Sequence, residues 1–352
     1  MKAFILVTLG ALAATLPAFG SISYTCDSTV TTDGPAGLCA TLNSTIAGLY
    51  SSTFTASSLG TVNIYIQYGS TGLASSLQYY TNVTYTNYVN ALTSHEGDAN
   101  DATAVASLGG NVTNPVVSGD GVGLTSALES SLGLTSADGG PFGILSTTDG
   151  TCTLGTTNCY NGIITVTNVL ADWYYRSGAQ GGSTYDFFSA VEHETDEILG
   201  TSSCIGGTTT TPATDSCTNG PPAAGVSPTD LFRYSAAGVR SFIGTGGNQS
   251  SGSTACFSIN SGTTMIACYN NTENGADYGD WNGASLRVQN AFGTPGVSGT
   301  DITNDGGSEI ALLDAVGYNL NSAATPEPAT FGLLGASLLA LSFAGARRRN
   351  KK

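Results

Sequence analysis

Eight cysteines constrain this chain of 352 residues more than any other feature. Cys26, Cys39, Cys152, Cys159, Cys204, Cys217, Cys256 and Cys268 fall into four close sequential couples. Eight cysteines permit on the order of a hundred pairings. Each neighbouring couple, however, would close a Gly/Ser/Thr-rich loop, where chain entropy most needs restraint. The expected bridges are therefore Cys26–Cys39, Cys152–Cys159, Cys204–Cys217 and Cys256–Cys268. The chain contains no C-x-x-C pair, which argues against a cysteine–zinc site. A fold pinned by disulfides belongs in an oxidising compartment.

Both ends agree with that compartment. Lys2, the apolar run "AFILVTLGALAATL" and the small residues "PAFGS" have the three-part form of a secretory signal peptide over residues 1–20. Ala18 and Gly20 occupy −3 and −1, so cleavage is expected near Gly20. The alternative, an N-terminal anchor, needs ~20 apolar residues, more than this run offers. At the other end, residues 323–352 carry Pro326, Glu327 and Pro328, an apolar span over 330–346, and a tail with Arg347, Arg348, Arg349, Lys351 and Lys352. The span is a minimal transmembrane helix whose basic flank stays in the cytoplasm. The order Pro-Glu-Pro, apolar span, basic tail resembles the PEP-CTERM sorting signal of Gram-negative bacteria. That resemblance implies recognition of Pro326-Glu327-Pro328 by an exosortase, removal of the hydrophobic tail, and a product at the cell surface or outside the cell. Until then the membrane is a partner through this helix.

Between the ends only Arg176, Arg233, Arg240 and Arg287 are basic, against every acidic residue of the chain except Glu327. A body so acidic repels phosphate backbones, so nucleic acid is excluded as a partner. Such a balance suits divalent cations. "GDANDAT", "ENGADYGDW" and "DITNDGGSE" are acidic enough for calcium, although the last has Leu312 where an EF-hand loop ends in a carboxylate.

Residues 21–322 read as one α+β domain. "TVNIYIQYG" (61–69) alternates apolar and polar residues as a strand does, and "NGIITVTN" (161–168) is a second strand. A helix is expected to end near His95, a helical patch near "LTSALESSLG", and a terminal helix over "SEIALLDAVGYNL" (308–320). The rest of 97–140 reads as Gly- and Asp-rich loop. "DLFRYSAAGVRSF" (230–242) and "TACFSINSGTTMIACYN" (254–270) are hairpin-like, with Met265 in a strand-like run.

The chemistry is expected on the helix over 185–200, "YDFFSAVEHETDEILG". Ser183 or Thr184 can cap it, Asp186 complements its dipole, and Gly200 ends it. His193 and Glu197 stand one turn apart on one face, the spacing by which H-E-x-x-H holds zinc, with Glu194 turned about 100° away toward a metal-bound water. Glu197 replaces the second histidine. Zinc accepts carboxylate oxygen, and an anionic, harder ligand also draws the site toward manganese or calcium. The chain has only two histidines, His95 and His193, so no three-histidine site exists within one molecule. Asp230, Asp277 and Asp280 are oxygen candidates for a further ligand, and spacing does not choose among them.

From strand 161–168 through the motif helix to "LLDAVGYNL", the order of segments resembles that of metzincin zinc proteases. Over about residues 160–320 the chain resembles metalloproteases of PEP-CTERM bacteria that carry H-E-x-x-E, in "DLFRYSAAGVRSF", "FSIN" and "DYGDW". The resemblance implies a mixed sheet with an active-site helix and a loop- and β-rich C-terminal part. It also implies zinc on His193 and Glu197, Glu194 as general base, and a protein or peptide substrate. A metzincin would have a third histidine where this chain has Ser203. Two non-catalytic readings stand beside it. One is an inactive metzincin-like surface or matrix protein. The other is a calcium-stabilised adhesin or glycan binder, resting on acidic turns and on aromatics such as Tyr79, Tyr80, Trp173 and Trp281, which fit a core better than a surface.

Overall fold

A computed structural model describes residues 20–321 apart from 110–114, 116–120, 135–141, 148–149, 206–216, 218–224, 244–253 and 273. The signal segment up to residue 19 and the sorting segment 323–352, with its span 330–346, lie outside the described residues. Among the described residues, no helix is long and apolar enough to cross a membrane.

The central element is a four-stranded mixed sheet. β1 (Ser21–Cys26), β2 (Thr61–Gly69) and β4 (Gly162–Thr167) run parallel, and β3 (Ala74–Gln78) lies antiparallel beside β4 at the edge, giving the order β1-β2-β4-β3. The alternation read in 61–69 has its physical cause here. Val62, Ile64, Ile66 and Tyr68 are buried on one face, where Tyr68 meets Phe187 of the motif helix. On the opposite face Tyr65 packs on Tyr160 and joins Tyr79, Ile144 and Ile163 over a small sheet of Phe142–Leu145, Thr151–Thr153 and Cys159–Tyr160.

The motif helix, α1, runs Phe187–Asp196 and continues as a π-helical turn, Glu197–Thr201. Its start differs from the sequence expectation. Asp186, rather than Ser183 or Thr184, is the cap: its Oδ1 accepts from Phe188 N–H and Ser189 N–H at 2.9 and 3.1 Å. Tyr185–Asp186 is a short strand paired with Trp173–Tyr174, which holds the chain extended up to the cap. Gly200 ends the helix at φ 129°, a conformation that costs a side-chain-bearing residue dearly. Gly162 lets the helix approach the sheet, since a Cβ there would lie 2.5 Å from Ile198.

The C-terminal part is β- and loop-rich, as expected. Val239–Arg240, Arg233–Ala236, Cys256–Phe257 and Ala267–Cys268 form an antiparallel sheet in that order. Trp281, buried, bridges to Tyr269 on one side and Asn290 on the other. The terminal helix α2 spans Ser308–Val316. All four expected disulfides are present, in keeping with an oxidising, extracytoplasmic environment.

Two expectations are corrected. The acidic segment after His95 is not all loop: Asp98 and Asp101 form a capping box that starts a helix over Ala99–Ser107. Met265 lies in the loop before Ala267–Cys268 rather than in a strand. Tyr79, Tyr80, Trp173 and Trp281 are buried, as core residues, so these four give a glycan-binding reading no exposed platform.

Candidate metal centre

The helical spacing does what the sequence suggested: His193 Nε2 lies 3.8 Å from Glu197 Oε1. The structure then adds the residue that spacing could not select. Asp280 Oδ1 stands 3.5 Å from the same Nε2, and one ligand atom from each of the three lies within 4.8 Å of the others.

Each of these side chains is held from outside the cluster. His193 Nδ1 is 3.1 Å from the carbonyl of Val288. A carbonyl only accepts, so the neutral ring carries its proton on Nδ1 and turns the Nε2 lone pair toward the two carboxylates. Ser76 Oγ, on edge strand β3, donates to Glu197 Oε2 at 2.5 Å. Asp280 Oδ1 accepts from Gln289 Nε2 at 3.0 Å. The turn carrying Asp280 is anchored by Trp281, whose Nε1–H donates to Glu309 at 2.7 Å, and by Arg233, which donates to Tyr278 O at 2.7 Å. Gly279 has a local reason: a Cβ would collide with Thr201 O.

The other oxygen candidates serve the backbone. Asp230 accepts from Ser203 Oγ, Cys204 N–H and both the N–H and Oγ of Ser227. Asp277 accepts from Ser203 N–H and Gly279 N–H. Ser203 therefore ties down two acids. His95 binds back to Ala91 O at the end of its own helix.

The cluster crowds buried carboxyls together. Burial, the largest cause, pushes Glu194, Asp277 and Asp280 well above the usual carboxylate range. Glu197 repels all three, and Glu194 shares a hydrogen bond with it. Buried like charges remain ionised together only when something positive neutralises them. One imidazole nitrogen and two carboxylates, open on one side, fit a divalent metal. The open side is a cavity of about 420 Å³ lined by β3 residues 74–76, by Ala190 and by the exposed Leu286, Phe292 and Val297.

Sequence reasoning named His193, Glu194 and Glu197, and Asp280 as one of several oxygen candidates. It missed Ser76, Val288 and Gln289, for which no local pattern exists. Compared with protein-family models, curated proteins and solved structures, the chain matches none.

Proposed function

We propose that the protein is an exported metal-dependent peptidase of metzincin-like type, with His193, Glu197 and Asp280 as ligands and Glu194 as general base. The observation that carries this reading is the convergence of the three donor atoms beside Glu194 at the base of an open cavity. Zinc is the first metal to consider, with calcium or manganese favoured by the oxygen-rich donors. A bound metal would polarise the scissile carbonyl and acidify a water. Glu194 would take the proton from that water and return it to the departing amine. Val288 O, Ser76 Oγ and the Trp281 turn keep the three ligands aimed. Edge strand β3 offers a backbone against which an extended peptide can lie, and Leu286, Phe292 and Val297 give an apolar side chain a place out of water. The terminal signals support export, recognition by an exosortase, and action at or beyond the outer surface.

A catalytically silent surface or matrix protein is the second reading, favoured by Ser203 in place of a third histidine. One experiment separates the two. Metal content is measured on the purified protein and on a His193→Ala/Glu197→Ala variant, and peptide hydrolysis on Glu194→Gln. About one equivalent of metal lost in the double variant, with hydrolysis abolished by Glu194→Gln while metal stays, supports the peptidase. Metal without hydrolysis, or no metal in either folded protein, supports the silent protein and removes the peptidase.

A further inference from the structure

Gln289 is a fully buried amide at the metal cluster, and its two ends are in very different circumstances. Its backbone is held on both sides: the N–H donates to Glu309 Oε1 at 3.1 Å, and the carbonyl accepts from Trp281 N–H at 2.8 Å. The side chain is therefore committed to this place. Nε2 stands 3.0 Å from Asp280 Oδ1 and 3.4 Å from His193 Nε2, the two atoms that face each other across the cluster. Oε1 is buried without a hydrogen-bond partner. A buried carbonyl oxygen with no donor is uncommon in a folded chain and asks for an explanation.

The cluster supplies one. Without a cation, the amide nitrogen is the better end to turn toward Asp280 and the imidazole lone pair, because it brings partial positive charge to two acceptors. A divalent cation takes both lone pairs and repels an N–H edge. The two ends of an amide have nearly the same size, and half a turn about the last side-chain torsion exchanges them. We infer that Gln289 is the fourth protein ligand of the metal, binding through Oε1 beside His193, Glu197 and Asp280. The inference rests on the metal-centre reading above.

A consequence follows for the metal. Four protein donors close a tetrahedral zinc site, whereas a hydrolytic zinc site keeps one position for water. A six-coordinate cation keeps positions open with the same four donors, and three oxygens to one nitrogen suit manganese or another hard ion. Gln289 thus shifts the preferred metal away from zinc. It does so without adding charge: Glu197 and Asp280 already balance a divalent cation.

The test uses the whole purified protein, Gln289→Met and Gln289→Glu, titrated separately with Mn²⁺ and Zn²⁺. X-ray absorption of the Mn²⁺ forms counts oxygen and nitrogen neighbours, and circular dichroism checks folding. As a ligand, Gln289 predicts one fewer neighbour in Gln289→Met, with Mn²⁺ affinity falling at least about tenfold and more than that for Zn²⁺. Gln289→Glu keeps the neighbour count, binds Mn²⁺ at least about tenfold tighter, and serves as the probe if the methionine variant fails to fold. An unchanged neighbour count in Gln289→Met overturns the inference alone, whatever happens to affinity, and makes Gln289 a donor that orients Asp280. Failure of wild type to bind either metal, matching His193→Ala/Glu197→Ala, overturns it together with the metal-centre reading.

Discussion

The motif helix carries two acid-containing pairs at the same one-turn spacing, and only one of them makes a candidate site. His193 and Glu197 face the cavity. Glu192 and Asp196 lie one residue earlier in each turn and face the interior, where Asp196 Oδ1 accepts from Tyr50 Oη at 2.7 Å and Glu192 Oε2 from Ile302 N–H at 3.0 Å. Tyr24 closes that side through Thr195 at 2.8 Å. Both faces are rich in carboxyls whose proton affinity is raised by burial. The front pair has an imidazole nitrogen, a third donor in Asp280 and access to solvent. The back pair has Tyr50, a backbone N–H and, among the described residues, full burial. Spacing alone therefore does not make a metal site. A nitrogen donor and an entrance set the candidate site apart.

The largest expected effect tests whether chemistry belongs to the front face alone. Glu194→Gln should lower peptide hydrolysis by about 10²–10⁴-fold with metal retained, whereas Asp196→Asn on the back should leave turnover near wild type. Loss of activity in both would erase the distinction.

Metal binding comes next. His193→Ala should weaken it by more than the roughly 10–100-fold typical of outer-shell changes, while Glu192→Gln, one residue away, should leave stoichiometry unchanged in the same titration. A finer contrast pairs two hydroxyls. Ser76→Ala removes the donor to Glu197 and should cost about tenfold in metal affinity with little change in melting temperature. Tyr50→Phe removes the donor to Asp196 and should cost about 1–3 kcal/mol of stability with metal affinity intact.

The smallest expected effect is in pH. Carboxyls whose folded proton affinity is raised stabilise the fold below their unfolded value of about 4 and lose that contribution as pH rises through the folded one. Asp305, which accepts from Val288 N–H at 3.1 Å, is pushed up to about 8, first by burial and then by Glu309. In chelator, the melting temperature should therefore fall between pH 5 and pH 9. Added metal should restore the part due to Glu194, Asp277 and Asp280 and leave the part due to Glu192, Asp196 and Asp305. Full restoration would mean that the two faces titrate as one.

Much of this was legible in the chain. The strands at 61–69 and 161–168 were readable because burial of one sheet face writes a period of two. The disulfides were readable because each joins cysteines only 7–13 residues apart, and loops so short close locally. His193 and Glu197 were readable because a helix turns one spacing into one geometry. The helix Ala99–Ser107 was not, since its capping acids Asp98 and Asp101 resemble loop residues and its small alanines give a faint stripe.

What tertiary structure alone decided is which acid completes the site. Asp230, Asp277 and Asp280 are equivalent in sequence. They part company because Ser203, Cys204 and Ser227 occupy the first and backbone N–H groups occupy the second. Asp280 is left to face His193 because burial of Trp281 between Tyr269 and Asn290 brings a turn more than eighty residues downstream against the helix. Periodicity encodes what lies within one element. Convergence of distant segments is encoded only in how their cores pack, and both Asp280 and Gln289 reach the site by that route.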